Sequence, residues 1–324
     1  QPIYSSRGTV KTTDFRKYLK SIENQIALTP DMIPNFPGRA DALLDVHFPE
    51  KQSQADAGRE YLATEELFGL LLASKLNREE NQKLRTAPIK CDLEIFKKQI
   101  AKLPFALTNA QRRSLWEIMQ DMEKDIPMNR LLQGDVGSGK TMVAALSAFI
   151  AAKAGFQTAL MAPTEVLATQ HAESLNEIFG GELKIALLTG STKHKPELKK
   201  HIANGDVDLV VGTHALITDD TRFAKLGLAI IDEQHRFGVA QRQKLLGKAQ
   251  TMPHLLAMTA TPIPRSLQLT IFGDLAVSIL DELPAGRQAI TSKIVNPSST
   301  KQMWAAIEPE LKNYHQVYYI CKKK

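Results

Sequence analysis

The sequence predicts an α/β fold, a parallel sheet with helices packed on both faces, and two observations carry that prediction. From about residue 130 onward, short apolar runs alternate with amphipathic stretches of helical period, the pattern that feeds a parallel sheet. Within it, LLQGDVGSGKT at 131–141 is an apolar run that stops at a glycine-rich turn and resumes as a helix. Gly134, Gly139, Lys140 and Thr141 satisfy the spacing G-x-x-x-x-G-K-[ST]. Gly134, Asp135, Val136, Gly137, Ser138, Gly139, Lys140 and Thr141 therefore form a candidate phosphate cradle. Its glycines let backbone N–H groups converge on phosphate oxygens, its lysine reaches the outer phosphates and its hydroxyl ligates Mg²⁺.

The elements follow in order. Phe15, Leu19, Ile22 and Ile26 make one helical stripe, followed by a proline-rich turn (Pro30, Pro34, Pro37) and the short run 41–46. Residues 1–50 are too few for a domain and read as the tail of one whose body lies upstream. A long helix is predicted over 54–81, with Phe68, Leu72 and Leu76 four apart and Leu67 and Leu71 beside them; so wide a stripe predicts burial between two bodies. A shorter helix starts near Asp92 with Phe96, Ile100 and Leu103 apolar. In PFALTNAQ, Thr108 and Gln111 fit the capping box of a helix that carries Leu115, Ile118 and Met119. Strands are then predicted at 130–133, 157–162, 184–188, 208–212, 228–232 and 254–260, and helices at 141–153, 165–179 and 195–204. After a turn-rich LPAGR hinge, strand 289–295, helix 300–312 and a strand-like run 316–321 read as the beginning of a second α/β domain. The resulting organisation is 1–50, the linking helices 51–104, a main α/β domain 105–288 and a truncated domain 289–324. With no initiator methionine at Gln1, the chain reads as a fragment cut at both ends.

Composition bounds the class. Apolar residues at 43% and charged residues at 23% are ordinary for a globular protein. A net charge of +6 permits an anionic partner without demanding one. Cys91 and Cys321 lie far apart, make no metal or redox spacing and suit a reducing cytoplasm. No apolar run approaches the ~18 residues of a membrane span, so no membrane partner is expected.

Further motifs sit where the predicted strands end, the edge at which parallel sheets bind ligands. LAIID ends in Asp232 and Glu233, followed by Gln234 and His235. Paired acids leaving a buried strand beside a phosphate loop suit metal-assisted phosphoryl transfer, with Asp232 ordering the Mg²⁺ shell and Glu233 polarising the attacking water. MTATPIPR offers Thr259 and Thr261 as hydroxyls able to bond Asp232 or His235. APTEVLATQ, LLTGSTK and VVGTHALI end three further strands with Thr164, Thr189, Ser191, Thr213 and His214, groups suited to gripping a nucleic-acid backbone without reading its sequence. The lysine cluster 193–200 extends that track or is a solvated face.

GDVGSGKT, APTEVLATQH, VVGTHALI, IIDEQHRFGVAQR and MTATPIPRSL occur together and in order, and with them the chain resembles the superfamily-two helicases, most closely the bacterial RecG group of ATP-dependent DNA helicases. DEQH in place of DEAD argues against the DEAD-box RNA helicases, while IIDEQHRFGV is shared with the transcription-repair coupling translocases. YSSRGTVKTTDFRKYL, the proline-rich turn and VHFPE resemble the end of that group's wedge domain. The resemblance implies a P-loop RecA-like fold, ATP and Mg²⁺ as cofactors, and a bacterial, cytoplasmic and nucleoid-associated monomer. Its partner would be branched double-stranded DNA, such as stalled forks and Holliday junctions, remodelled in recombination and repair. It assigns Lys140, Asp232, Glu233 and His235 to catalysis and Thr259 and Thr261 to coupling. Phe105 and Gln111 would contact the adenine, a role compatible with the capping box. The rest of the second motor domain would supply arginines, and an arginine finger is worth ~10³ to 10⁵ in rate, so the fragment alone should hydrolyse ATP poorly. Two other readings stand beside this one: a translocase that pushes RNA polymerase, and a nucleotide-gated binding module that never turns over.

Overall fold

The computed structural model describes residues 3–5, 11–179, 181–261, 275–282, 284, 292, 294, 300–318 and 320, without the side chains of His235, Val239 and Thr300. Residues 1–284 make one compact unit and residues 285–324 a second.

The first unit opens with helices α1 (Thr12–Ser21), α2 (Glu23–Ile26), α3 (Arg39–His47) and α4 (Gln52–Lys83). The first turns of α4 pack on α3 through Gly58, where a Cβ would stand 2.6 Å from the Ala42 carbonyl oxygen. The burial expected of the α4 leucine stripe is not found. Leu67, Phe68, Leu71, Leu72 and Leu76 are between 41% and 51% exposed. The 32-residue helix outreaches α3, and no described element covers its distal stripe. Helix α5 (Leu93–Ala101) starts where Asp92 Oδ1 accepts the Glu94 and Ile95 N–H groups at 3.0 and 3.1 Å. Helix α6 (Asn109–Met122) starts at the capping box: Thr108 Oγ1 accepts the Gln111 N–H at 3.2 Å, and Gln111 Oε1 accepts the Thr108 N–H at 3.0 Å.

Seven strands follow: β1 (Asn129–Gly134), β2 (Gln157–Met161), β3 (Ile185–Leu188), β4 (Leu209–Gly212), β5 (Leu226–Ile231), β6 (His254–Thr259) and β7 (Ala276–Leu280). Helices α7 (Lys140–Lys153), α8 (Glu165–Phe179), α9 (Lys195–Asn204) and α10 (Val239–Leu246) connect them, with 3₁₀ turns at His214–Ile217 and Gln234–Arg236. Every pairing is parallel, in the order β3-β4-β2-β5-β6-β1-β7. Side chains alternate between the faces with period two. Leu160, Val211, Ile230 and Leu256 enter one core with Phe149 and Phe179 of α7 and α8. Ala159, Val210, Ile231 and Leu255 enter the other.

Two features were not read from the sequence. Strand β7 is a short, partly exposed edge strand whose Ser278 points inward, so its pattern carries little apolar signal. Buried Arg130 on β1 donates to Asp121 at 3.0 and 2.7 Å, to Glu117 at 2.9 Å and to Ser278 Oγ at 2.7 Å, joining α6, β1 and β7. Burial alone would raise the Asp121 carboxyl, but its bonds to Lys124 and Arg130 hold it below the usual value. A β-strand and two acids of a neighbouring helix are thereby locked in one register.

In the second unit, α11 (Thr300–Lys312) continues through Pro309. The strand expected at 289–295 lies outside the described residues apart from 292 and 294, which are not in a strand. The strand expected at 316–321 is not found at 316–318 or 320; Tyr319 and Cys321 lie outside the described residues. Tyr318 and Ile320 are 83% and 93% exposed, with no described strand to supply the ladder hydrogen bonds that would hold them extended.

His254, fully buried at the start of β6, accepts the Met128 N–H at Nδ1 over 3.0 Å. Burial, the main cause, lowers its pKa from 6.5 to about 4. Because the folded value lies below the unfolded one, this stabilisation is complete above pH 6.5 and is lost as pH falls toward 4. The shift is worth roughly 3 kcal/mol. His254→Gln keeps an acceptor without titrating. Between pH 7 and pH 4.5, chemical denaturation should show the wild type losing about 2 kcal/mol more stability than this variant.

Candidate functional site

Strand β1 delivers its chain into a tight turn where the Ser138 N–H reaches the Asp135 carbonyl at 3.1 Å. Gly139 then caps α7 with φ +87°, a conformation costly for any residue with a Cβ. A Cβ at Gly139 would also stand 2.2 Å from Gln111 Nε2. That amide donates to the Ser138 carbonyl at 2.8 Å while its oxygen remains in the capping box. Gln111 is 2% exposed, so it grips the phosphate loop from behind. Asp135, Val136 and Gly137 form the exposed crest of the turn, and Ser138 is buried beneath it.

Lys140 and Thr141 are half-buried on the first turn of α7. The Lys140 ammonium donates to the Gly134 and Asp135 carbonyls at 2.7 and 3.0 Å, bending back over the loop. Burial pushes its pKa down, while the carboxylates of Asp232, Glu233 and Asp135 act in the other direction. The two strand-end acids thus lie within electrostatic range of its ammonium. The N–H groups of Lys140 and Thr141 at the start of α7 have no carbonyl within the helix to bond, and with the lysine they suit an anion. This donor set fits a phosphate chain: backbone N–H groups, one ammonium, one hydroxyl and, beyond them, a carboxylate suited to Mg²⁺. Lys140, Thr141 and Asp232 would hold that pair.

Asp232 extends β5, its N–H bonded to the Met161 carbonyl at 2.9 Å, and is 8% exposed. Glu233 takes φ +49°, an uncommon conformation for a residue with a side chain. Oδ1 of Asp232 accepts the Glu233 N–H at 3.0 Å, and Oδ2 accepts from His171 Nε2 at 2.9 Å. The bond expected from Thr259 or Thr261 to Asp232 is not found among the described residues. The two threonine hydroxyls bond each other at 2.9 Å. The His235 side chain and residues 262–265 of MTATPIPR lie outside the described residues.

The three remaining motifs end β2, β4 and β3, which lie side by side in the sheet. Thr164 is exposed and its Oγ1 accepts the Leu167 N–H at 3.3 Å. Ser191 and His214 are also exposed, whereas Thr189 and Thr213 are 1% and 8% exposed and serve the loops from within. Thr189 Oγ1 pairs with Ser191 Oγ at 3.1 Å, and Ser191 donates to Glu165 at 2.8 Å. His214 Nε2 accepts from Gln241 at 2.9 Å. In the lysine cluster, Lys195 bonds the Gly190 carbonyl and Lys199 pairs with Asp220 at 2.5 Å, so both are engaged locally. Phe105 is 45% exposed ahead of the capping box. The sequence reading missed His171 and Glu165. His171 falls on the apolar stripe of α8, between Ala168 and Leu175, and a histidine on such a stripe is a legible sign of a buried polar partner.

A phosphate loop after β1, an acid pair after β5 and a row of polar loops after β2, β4 and β3 define a P-loop domain of the RecA-like class. The family model of the DEAD/DEAH box helicases matches residues 108–270, half of the chain, and the chain belongs to that family. Its sequence is 45% identical over 88% of its length to the ATP-dependent DNA helicase RecG of Aquifex aeolicus, covering 37% of that protein. It is 44% identical over 99% of its length to RecG of Bacillus subtilis, covering 49%. A structure of RecG bound to a three-way DNA junction superposes with a TM-score of 0.79 at 39% identity, over 96% of this chain and 44% of that one. The chain thus spans half or less of the length of these relatives.

Gln111→Ala removes the side chain that holds the Ser138 carbonyl and leaves a cavity behind the loop. Loss of one such hydrogen bond is worth about 1 to 1.5 kcal/mol. Titration of a fluorescent ATP analogue should show binding weakened about five- to tenfold, with hydrogen exchange of 135–139 accelerated.

Proposed function

We propose that the protein carrying this chain is an ATP-driven DNA translocase that remodels branched DNA, such as stalled forks and junctions, in recombination and repair. The supporting observation is the division of one sheet edge. The phosphate loop and the acid pair lie at the ends of β1 and β5, and the polar loops lie at the ends of β2, β4 and β3 beside them. The RecG relatives and the junction-bound RecG structure support the choice of branched DNA.

In this reading the Lys140 ammonium leaves the Gly134 and Asp135 carbonyls for the outer phosphates of ATP. Thr141 and Asp232 hold Mg²⁺, which supplies positive charge to the phosphate oxygens when bound. Glu233 orients and polarises the attacking water, with His235 beside it, and Thr259 with Thr261 passes the change to the second motor domain. Gly134 to Thr141 cradle the phosphates, with Phe105 and Gln111 on the base side. Thr164, Ser191 and His214 contact the DNA backbone, supported by Thr189 and Thr213. Residues 1–50 end a wedge domain, 51–104 link it to the motor domain 105–288, and 289–324 begin the second motor domain. The protein works as a monomer in the bacterial cytoplasm, at the nucleoid.

Steady-state ATP hydrolysis by the protein in its full length, compared on forked DNA, linear duplex and single-stranded RNA at fixed salt, tests this reading. Strongest stimulation by the fork is expected; equal rates with every nucleic acid, or with none, would overturn it. Glu233→Gln should lower hydrolysis by ~10² or more and leave nucleotide binding within about threefold. Unchanged DNA remodelling by that variant would instead favour a binding module that uses nucleotide only as a switch.

A further inference from the structure

The two halves of the sheet edge are joined by one rigid element. Helix α8 begins at Glu165, whose Oε2 accepts from Ser191 Oγ at 2.8 Å, and Ser191 in turn lies 3.1 Å from Thr189 Oγ1. Glu165 Oε1 also lies against Gly190, 2.5 Å from where a Cβ would stand. Six residues further along, roughly 9 Å at the helical rise, His171 Nε2 meets Asp232 Oδ2 at 2.9 Å. Between and beyond these contacts Ala168, Ala172, Leu175 and Phe179 are buried in the core, so α8 moves as a body or not at all. Asp232 spends one oxygen on the Glu233 N–H and the other on His171. Each oxygen keeps a further acceptor site, so His171 can fix the carboxylate without consuming it.

We propose that α8 couples the nucleic-acid edge to the nucleotide site, with His171 as the positioning residue for Asp232 and Glu165 as the lever at the other end. The proposal rests on the function proposed above. DNA that engages Ser191 competes for the hydroxyl Glu165 now holds, and any displacement of α8 that follows is delivered to the Asp232 carboxylate. Reciprocity then requires that DNA change the affinity for Mg²⁺-nucleotide, and that nucleotide change the affinity for DNA by the same factor.

The test uses the full chain, a fluorescent ATP analogue with Mg²⁺ and a forked DNA duplex. Nucleotide Kd is measured with and without saturating DNA, and DNA Kd is measured in parallel. For the wild type, DNA should change the nucleotide Kd by about fivefold or more. His171→Ala and Glu165→Ala should each bring that ratio close to one, and the double variant should do no more than either alone, since both cut the same link. His171→Asn, which restores a side-chain N–H donor, should recover part of the ratio, and thermal unfolding of each variant should show a cooperative transition. A wild-type ratio retained by His171→Ala, or separate and additive effects of the two alanine variants, would overturn the link. DNA binding with a ratio of one in the wild type would overturn the link and leave the proposed function standing; no DNA binding at all would overturn both.

Discussion

The phosphate loop hangs on one buried amide. Gln111 uses its oxygen to close the capping box of α6 and its nitrogen to hold the Ser138 carbonyl, so the loop inherits the position of the helix. The helix in turn is fixed by Arg130, which draws Asp121 and Glu117 of α6 onto β1 and Ser278 of β7. A neutral amide bonded through both its oxygen and its nitrogen is well suited to this task, because an unsatisfied polar group at 2% exposure would cost more than the bond contributes. The same contact explains why position 139 must be glycine. Both its positive φ and the closeness of Gln111 Nε2 exclude a side chain there.

The sheet order converts that local geometry into a division of labour. With every strand parallel, all carboxyl ends fall on one edge, and the order β3-β4-β2-β5-β6-β1-β7 sets the loops after β3, β4 and β2 on one side of Asp232 and the phosphate loop on the other. Asp232 sits where the two halves meet, bonded through His171 to the helix that leaves the polar half. Charge follows the same plan. Burial lowers the pKa of Lys140, and three carboxylates act in the other direction.

Much of this was legible in the sequence, and particular residues show why the rest was not. The phosphate loop, the acid pair and six of the seven strands are local patterns, each written in contiguous residues, and α8 and α9 fall at their expected residues. Strand β7 escaped because an edge strand with Ala276 and Ser278 carries no strong alternation. Arg130 escaped because its partners lie 9 to 148 positions away, and sequence shows spacing along a chain, not across a sheet. The partner of Asp232 shows the same limit: His171 stands 61 positions away along the chain, while Thr259 bonds Thr261. The leucine stripe of α4 announced a packed helix, yet the sequence alone did not say which body covers it, and within this chain those leucines stay exposed.

The central claim, that one sheet edge holds nucleotide on one half and DNA on the other, is tested most directly by hydrogen exchange on the full chain with each ligand added separately. A non-hydrolysable ATP analogue with Mg²⁺ should protect 134–141 and 232–233, and forked DNA should protect 164–165, 189–192 and 213–217. DNA protection confined to the opposite edge, around 128–129 and 253–254, would contradict the account.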